Sequence, residues 1–188
     1  AAVPAAFQYG LWDSNSQDRC RRLELLLLTE LEARDYWEAA AAAAWRRGRG
    51  YFAVATVLWI AALLAGKATG LQVAAALAAS AILWGLYFAL GFRAFSRGLQ
   101  ANGLGTLLTI GVPLFVIALS MCGLPAVAAL LPPGSIYAVG TKPFSWLLLP
   151  GPVLGAAAAL TIARFGLKHC DEELRHWYEL HHGRKVID

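Results

Sequence analysis

Residues 71–92 read Leu71-Gln72-Val73-Ala74-Ala75-Ala76-Leu77-Ala78-Ala79-Ser80-Ala81-Ile82-Leu83-Trp84-Gly85-Leu86-Tyr87-Phe88-Ala89-Leu90-Gly91-Phe92, without one charged side chain. At roughly 1.5 Å per residue, a helix of that length covers a hydrocarbon core of about 30 Å unaided. The surroundings extend the pattern. All 12 carboxylates lie in residues 1–50 or 171–188. Between Gly50 and Cys170 the full charges are Lys67, Arg93, Arg97, Lys142, Arg164 and Lys168. The 188-residue chain is 59% hydrophobic and 15% charged, whereas a soluble domain carries about a quarter charged residues. That is too little polar surface for a solvated globule or a disordered linker. It fits a membrane-embedded bundle.

Three further apolar runs flank the first. Tyr51–Gly66 is short for a crossing and spans by starting before Tyr51, with the neighbouring arginines reaching outward. Leu104–Cys122 carries Pro113, which predicts a kink. Phe144–Ala163 holds Pro150 and Pro152, which predict an irregular first half; membrane helices tolerate such prolines when neighbours satisfy the freed carbonyls. Leu124–Gly140 is too short to cross and turns sharply at Pro132, Pro133 and Gly134. It reads as a re-entrant or interface-lying hairpin. The expected fold is an all-α membrane protein of four transmembrane helices (about 51–66, 71–92, 104–122 and 144–163) plus a re-entrant segment at 124–140. Cytoplasmic amphipathic helices in 1–50 and 166–188 flank the bundle at 51–165.

Basic residues then set orientation rather than nucleic-acid binding. With four crossings, Arg19, Arg21, Arg22, Arg34, Arg46, Arg47 and Arg49 share one side with Arg93 and Arg97 and with Arg164, Lys168, Arg175, Arg184 and Lys185. Only Lys67 and Lys142 face the other. This bias puts both termini in the cytoplasm, as expected of a multi-pass protein of the inner membrane. The opening Ala1–Trp12, apolar and without an initiator Met, reads as the end of a preceding membrane helix.

Residues 16–45 read as a helix outside the membrane. Leu23, Leu27 and Leu31 fall at i, i+4, i+8, and Arg34–Glu38 is spaced for ion pairing. The polar cluster Thr29–Asp35 offers a turn with a fresh N-cap. In the tail, Leu167, Cys170, Leu174, Trp177 and Leu180 or His181 form an apolar face fit to lie on the membrane or a partner. Ala81, Gly85 and Ala89 recur every four residues, a spacing that lets helices approach closely or simply reflects abundant alanine.

No carboxylate falls at the depth of any crossing, which disfavours a proton pump, a carboxylate-coupled cation transporter and a diaspartyl intramembrane protease. No GxxxxGK[ST] loop is present for ATP hydrolysis. His169, Glu172 and His176 at i, i+3, i+7 could share a metal, but a solvated polar face is the simpler reading, and no metal or catalytic residue is assigned. Cys20, Cys122 and Cys170 make no disulfide framework.

The segment Arg21-Arg22-Leu23-Glu24-Leu25-Leu26-Leu27-Leu28-Thr29-Glu30-Leu31 resembles the cytoplasmic loop "T-L-E-L-L-L-x-T-P-L" of permease subunits of the ABC-2 transporter family. Leu23–Leu27, Thr29 and Leu31 match; Arg22 stands where Thr is usual and Glu30 where Pro is usual. Four crossings with an outer re-entrant segment between the last two also match the family's order. The resemblance implies the transmembrane subunit of an ABC exporter, with no cofactor of its own and ATP held on a separate ATP-binding-cassette ATPase subunit. It further implies a homo- or heterodimer of permeases in the bilayer. Arg21, Arg22, Leu23, Glu24, Leu27 and Leu31 would couple to the ATPase, leucines filling its cleft and charges at the rim; alternatively the helix is an interface-lying anchor. The carboxylate-free lining suits an amphiphilic or hydrophobic cargo. The rival readings are a non-transporting membrane scaffold that holds partners through its cytoplasmic helices, and a membrane enzyme built on the 169–182 histidines.

Overall fold

The computed structural model describes residues 24–25, 27–29, 31–97, 106–134 and 150–181. Among them the regular structure is all helical, with no strand. In chain order the elements are α1 (Ala33–Leu64), α2 (Gly70–Ser96), a π-helical turn (Leu107–Gly111), α3 (Val112–Met121), α4 (Pro125–Leu130) and α5 (Pro150–His181). Two helices are long and apolar enough to cross a membrane, Gly70–Ser96 and Pro150–Leu180. Ala33–Arg46 and Gly48–Leu64 pass the same test only when taken together as one broken span. This is a membrane protein by its helices. At 10 and 6 residues, α3 and α4 are each too short to cross alone.

Local chemistry explains where the helices stop and start. After α1, Gly66 takes φ +69°. Its N–H donates to the Leu63 carbonyl at 3.0 Å and the Lys67 N–H to the Ala62 carbonyl at 2.9 Å, a Schellman ending that glycine enters without a Cβ penalty. Gly123, at φ +79°, closes α3 the same way, with Leu124 N–H on Leu119 O at 3.0 Å. α2 opens on a capping box: Gln72 N–H donates to Thr69 Oγ1 at 3.2 Å and Thr69 N–H to Gln72 Oε1 at 2.8 Å. The helix at 16–45 is corrected here. Leu28 ends a helical turn, and a new helix begins at Ala33, its start tied by Glu32 N–H donating to Asp35 Oδ2 at 2.9 Å. Leu31 lies in the connection and shares no helix with Leu27, so the three-leucine stripe is broken.

Two more expectations change. Pro150 and Pro152 do not make a helix irregular; they occupy the first turn of α5, where a missing N–H costs nothing. The stretch 144–149 lies outside the described residues. Nor does the polarity change at 45–51 or 163–167 mark a helix boundary, because α1 and α5 each run through it unbroken.

At Pro113 the irregularity is a π-turn just upstream. Val112 N–H reaches back to Leu107 O, and Pro113 has no N–H to give, so the Leu108 carbonyl loses its helical partners. Tyr87 Oη donates to it at 3.0 Å, which is how a buried carbonyl in an apolar surrounding stays satisfied.

The chain divides into two compact units. The first takes Ala1–Arg47, Phe88–Gly105 and Thr161–Asp188; the second takes Gly48–Tyr87 and Thr106–Leu160. Every carboxylate of the sequence falls within the ranges of the first and none within those of the second. The second unit is built on small residues. Buried Ala76 and Ala129 pack with Trp59 and Ala75, and a Cβ on Gly155 would stand 3.1 Å from Pro132 Cβ and 3.3 Å from Ile82 Cγ2. Its large side chains, among them Val54, Val57, Leu58, Leu114, Phe115, Leu154 and Leu160, are exposed. An apolar surface that extensive calls for lipid.

Candidate functional site

The first unit has a core of its own kind. Three helices each give it one stripe at i+4 spacing: Tyr36, Ala40 and Ala44 from α1; Phe88, Phe92 and Ser96 from α2; Gly166, Cys170 and Leu174 from α5. Trp37 meets Phe88 edge-on at 4.6 Å and Phe92 at 4.9 Å. Gly166 lies under Phe92, whose Cδ1 would be 3.4 Å from a Cβ there. The tail stripe read from sequence is thus real, but Cys170 and Leu174 are spent inside the chain rather than on a membrane or partner.

Charge is built into this core. Glu173 of α5 accepts hydrogen bonds from three side chains at the end of α2. Its Oε2 takes Arg93 Nη1 and Ser96 Oγ, the latter at 2.7 Å; its Oε1 takes Arg97 Nε at 3.3 Å. Ser96 Oγ is also 3.0 Å from the Arg93 carbonyl. A hydroxyl has one proton, and the charged acceptor at the shorter distance is the stronger claimant. The side chains of Arg93 and Glu173 are 13% and 22% exposed and that of Arg97 56%, so one arginine is buried and the other faces outward. Arg93 also lies 5.2 Å over the Phe165 ring, a cation–π contact. His169 stacks on the same ring at 4.3 Å and sits 3.0 Å from the Phe165 carbonyl through Nδ1, which fixes the proton on that nitrogen.

Of the residues singled out from sequence, Glu24, Leu25 and Leu28 are exposed, Leu27 is partly buried and Leu31 is exposed. Arg21, Arg22, Leu23, Leu26 and Glu30 lie outside the described residues. Arg34 and Glu38 pair as spaced, at 2.8 Å, on an exposed face. Ala81 is exposed, Ala89 is buried, and a Cβ on Gly85 would meet nothing within 4 Å, so no close helix approach within the second unit uses Gly85. The tight approach is at Gly134 instead, where a Cβ would fall 1.9 Å from Ala128 O. Pro132 and Pro133 open the short helical turn that ends there; the returning arm of the hairpin lies outside the described residues. Among the described residues no three His, Cys, Asp or Glu side chains gather to hold a metal, His169, Glu172 and His176 included.

Comparison with known proteins finds no match. No family model, curated protein or solved structure aligns with the chain. Sequence reasoning missed the Arg93–Ser96–Arg97–Glu173 cluster; the available signal was a pair of arginines four apart at the end of an apolar run, facing a tail that begins Asp171-Glu172-Glu173.

Proposed function

We propose that the chain is the transmembrane permease subunit of an ATP-binding-cassette exporter, driven by a separate ATPase subunit and moving an amphiphilic or hydrophobic cargo. Four crossings, a re-entrant segment at 124–140 and cytoplasmic termini belong to the proposal. One observation carries it. Within the segment that resembles the permease loop, Leu25 is 67% exposed, Leu28 77% and Leu31 44%, in a unit that otherwise buries its apolar side chains. Exposed leucines flanked by Glu24, on a short helix with a capped turn behind it, are what a cleft in a partner protein would take up.

The test replaces Leu28 with the photo-crosslinking residue benzoylphenylalanine in cells of the native host. Membranes are then irradiated and labelled with radioactive 8-azido-ATP. An adduct that carries the nucleotide label supports the permease. A protein adduct without nucleotide favours the scaffold and overturns the transport reading; crosslinks to lipid alone make the segment an anchor and overturn it too.

A further inference from the structure

The polar core lies directly behind the exposed leucines in the chain, and it contains a group whose loss would loosen it. Thr29 hydrogen-bonds the buried Tyr36 phenol. Tyr36 neighbours Trp37, Trp37 bears on Phe92, and Phe92 precedes Arg93, which is held by Glu173. Each step is a contact inside the first unit, so a displacement at residues 24–31 has a continuous path to the carboxylate. Glu173 is also unevenly held. Its buried partners Arg93 and Ser96 share Oε2, while the exposed Arg97 holds Oε1 at a longer distance. Such a cluster has two states: closed, with every donor satisfied, and open, with α5 released from the end of α2 and the guanidiniums solvated. Intermediate states strand a buried charge and are costly.

We infer that Arg93, Ser96, Arg97 and Glu173 form an ionic clasp that the 24–31 segment opens and closes through Tyr36 and Trp37, making Glu173 a positioning residue of the coupling path. The inference deepens the permease reading and rests on it for what pushes the segment; the clasp itself is tested without an ATPase.

The protein carries its own reporter. Cys170, one helical turn from Glu173, is fully buried, whereas Cys122 is exposed. With Cys20 and Cys122 replaced by Ser, the rate of maleimide labelling at Cys170 in nanodiscs measures how often the clasp opens. Glu173→Gln is expected to raise that rate by roughly 100-fold, because Arg93 is left without its carboxylate. Tyr36→Phe, which cuts the tie to Thr29 and leaves the ring packed, is expected to raise it about 5-fold. In the double variant the rate should stay at the Glu173→Gln level, since an open clasp cannot be opened again.

An unchanged rate in Tyr36→Phe disconnects the segment from the clasp and overturns the inference. So does a double variant whose effect is the product of the two singles, or a Glu173→Gln rate equal to wild type. Should Glu173→Gln lose its helicity by circular dichroism, Glu173→Asp takes its place under the same criteria. These outcomes are independent of the azido-ATP result, so either idea can fail while the other stands.

Discussion

Two glycines of the second unit are expected to respond to the same substitution with opposite sign. At Gly134 an added Cβ would lie 1.9 Å from the Ala128 oxygen and 2.7 Å from its carbon, both backbone atoms. Non-bonded carbon contacts settle at roughly 3.5 Å or more, so the chain must open by more than an ångström. Overpacking costs about 1–3 kcal/mol, and a clash with backbone, which has no rotamer to change, belongs at the upper end. For a chain of this size each kcal/mol is worth roughly 2–4 °C, so Gly134→Ala should lower the melting midpoint by about 6–12 °C. At Gly85 a Cβ meets nothing within 4 Å, and the residue sits inside α2. There the alanine gains helix propensity of up to about 1 kcal/mol, raising the midpoint by roughly 2–4 °C. Tryptophan fluorescence during heating of nanodisc-embedded protein, at one fixed scan rate, reads both. A Gly134→Ala midpoint within about 2 °C of wild type would refute the close approach of residues 128 and 134. A fall in Gly85→Ala would return the Ala81–Gly85–Ala89 row to helix packing, and lost self-association in Gly85→Leu would place that packing between two copies.

Two further substitutions test the polar contacts by the same melting assay. Tyr87→Phe removes the donor that satisfies the Leu108 carbonyl beside Pro113, and should cost about 1–2 kcal/mol, while Tyr51→Phe, at an exposed ring, should change nothing; equal midpoints for the two would show that Tyr87 donates to nothing of consequence. Arg93→Met should cost about 2–3 kcal/mol, less than a fully buried pair because Arg97 and Ser96 still hold Glu173, and the Arg93→Met/Glu173→Met double should recover to within about 1 kcal/mol of wild type; a double variant as weak as the sum of the singles would show that the ion pair has no energetic coupling.

Much of the fold was legible because it rests on local signals. A charge-free run of the right length marks α2, and the polar cluster at Thr29–Asp35 marks the break before α1. Pro113 marks an irregular helix, though not that the irregularity would be a π-turn satisfied from another helix by Tyr87. The small-residue idea was right in kind and wrong in place. Spacing along one helix cannot say which face meets a neighbour, and the close approaches fall at Gly134 and Gly155, not Gly85. Leu31 was misplaced for a related reason: a heptad-like count runs straight through a turn unless the cap is given priority.

The ionic clasp was illegible because the rule that revealed the membrane bundle hid it. Counting carboxylates isolates residues 50–170 as apolar and makes Arg93 and Arg97 look like orientation markers at the end of a crossing. Their partner is 80 residues downstream in sequence, beyond the block's far edge. The two roles are compatible. Orientation follows the number of lysines and arginines near the ends of a span and takes little notice of acidic residues, so neutralising Arg93 with Glu173 leaves the count intact. Burying that arginine still requires a carboxylate, and a chain that excludes carboxylates from its lipid-facing stretch must bring one in from a helix that extends past it. α5, at 32 residues roughly 48 Å long, is longer than a crossing needs by about the length that carries Cys170, Glu173 and Leu174. Its extra turns therefore have a physical purpose: they deliver the one acid that lets α2 end in a buried arginine.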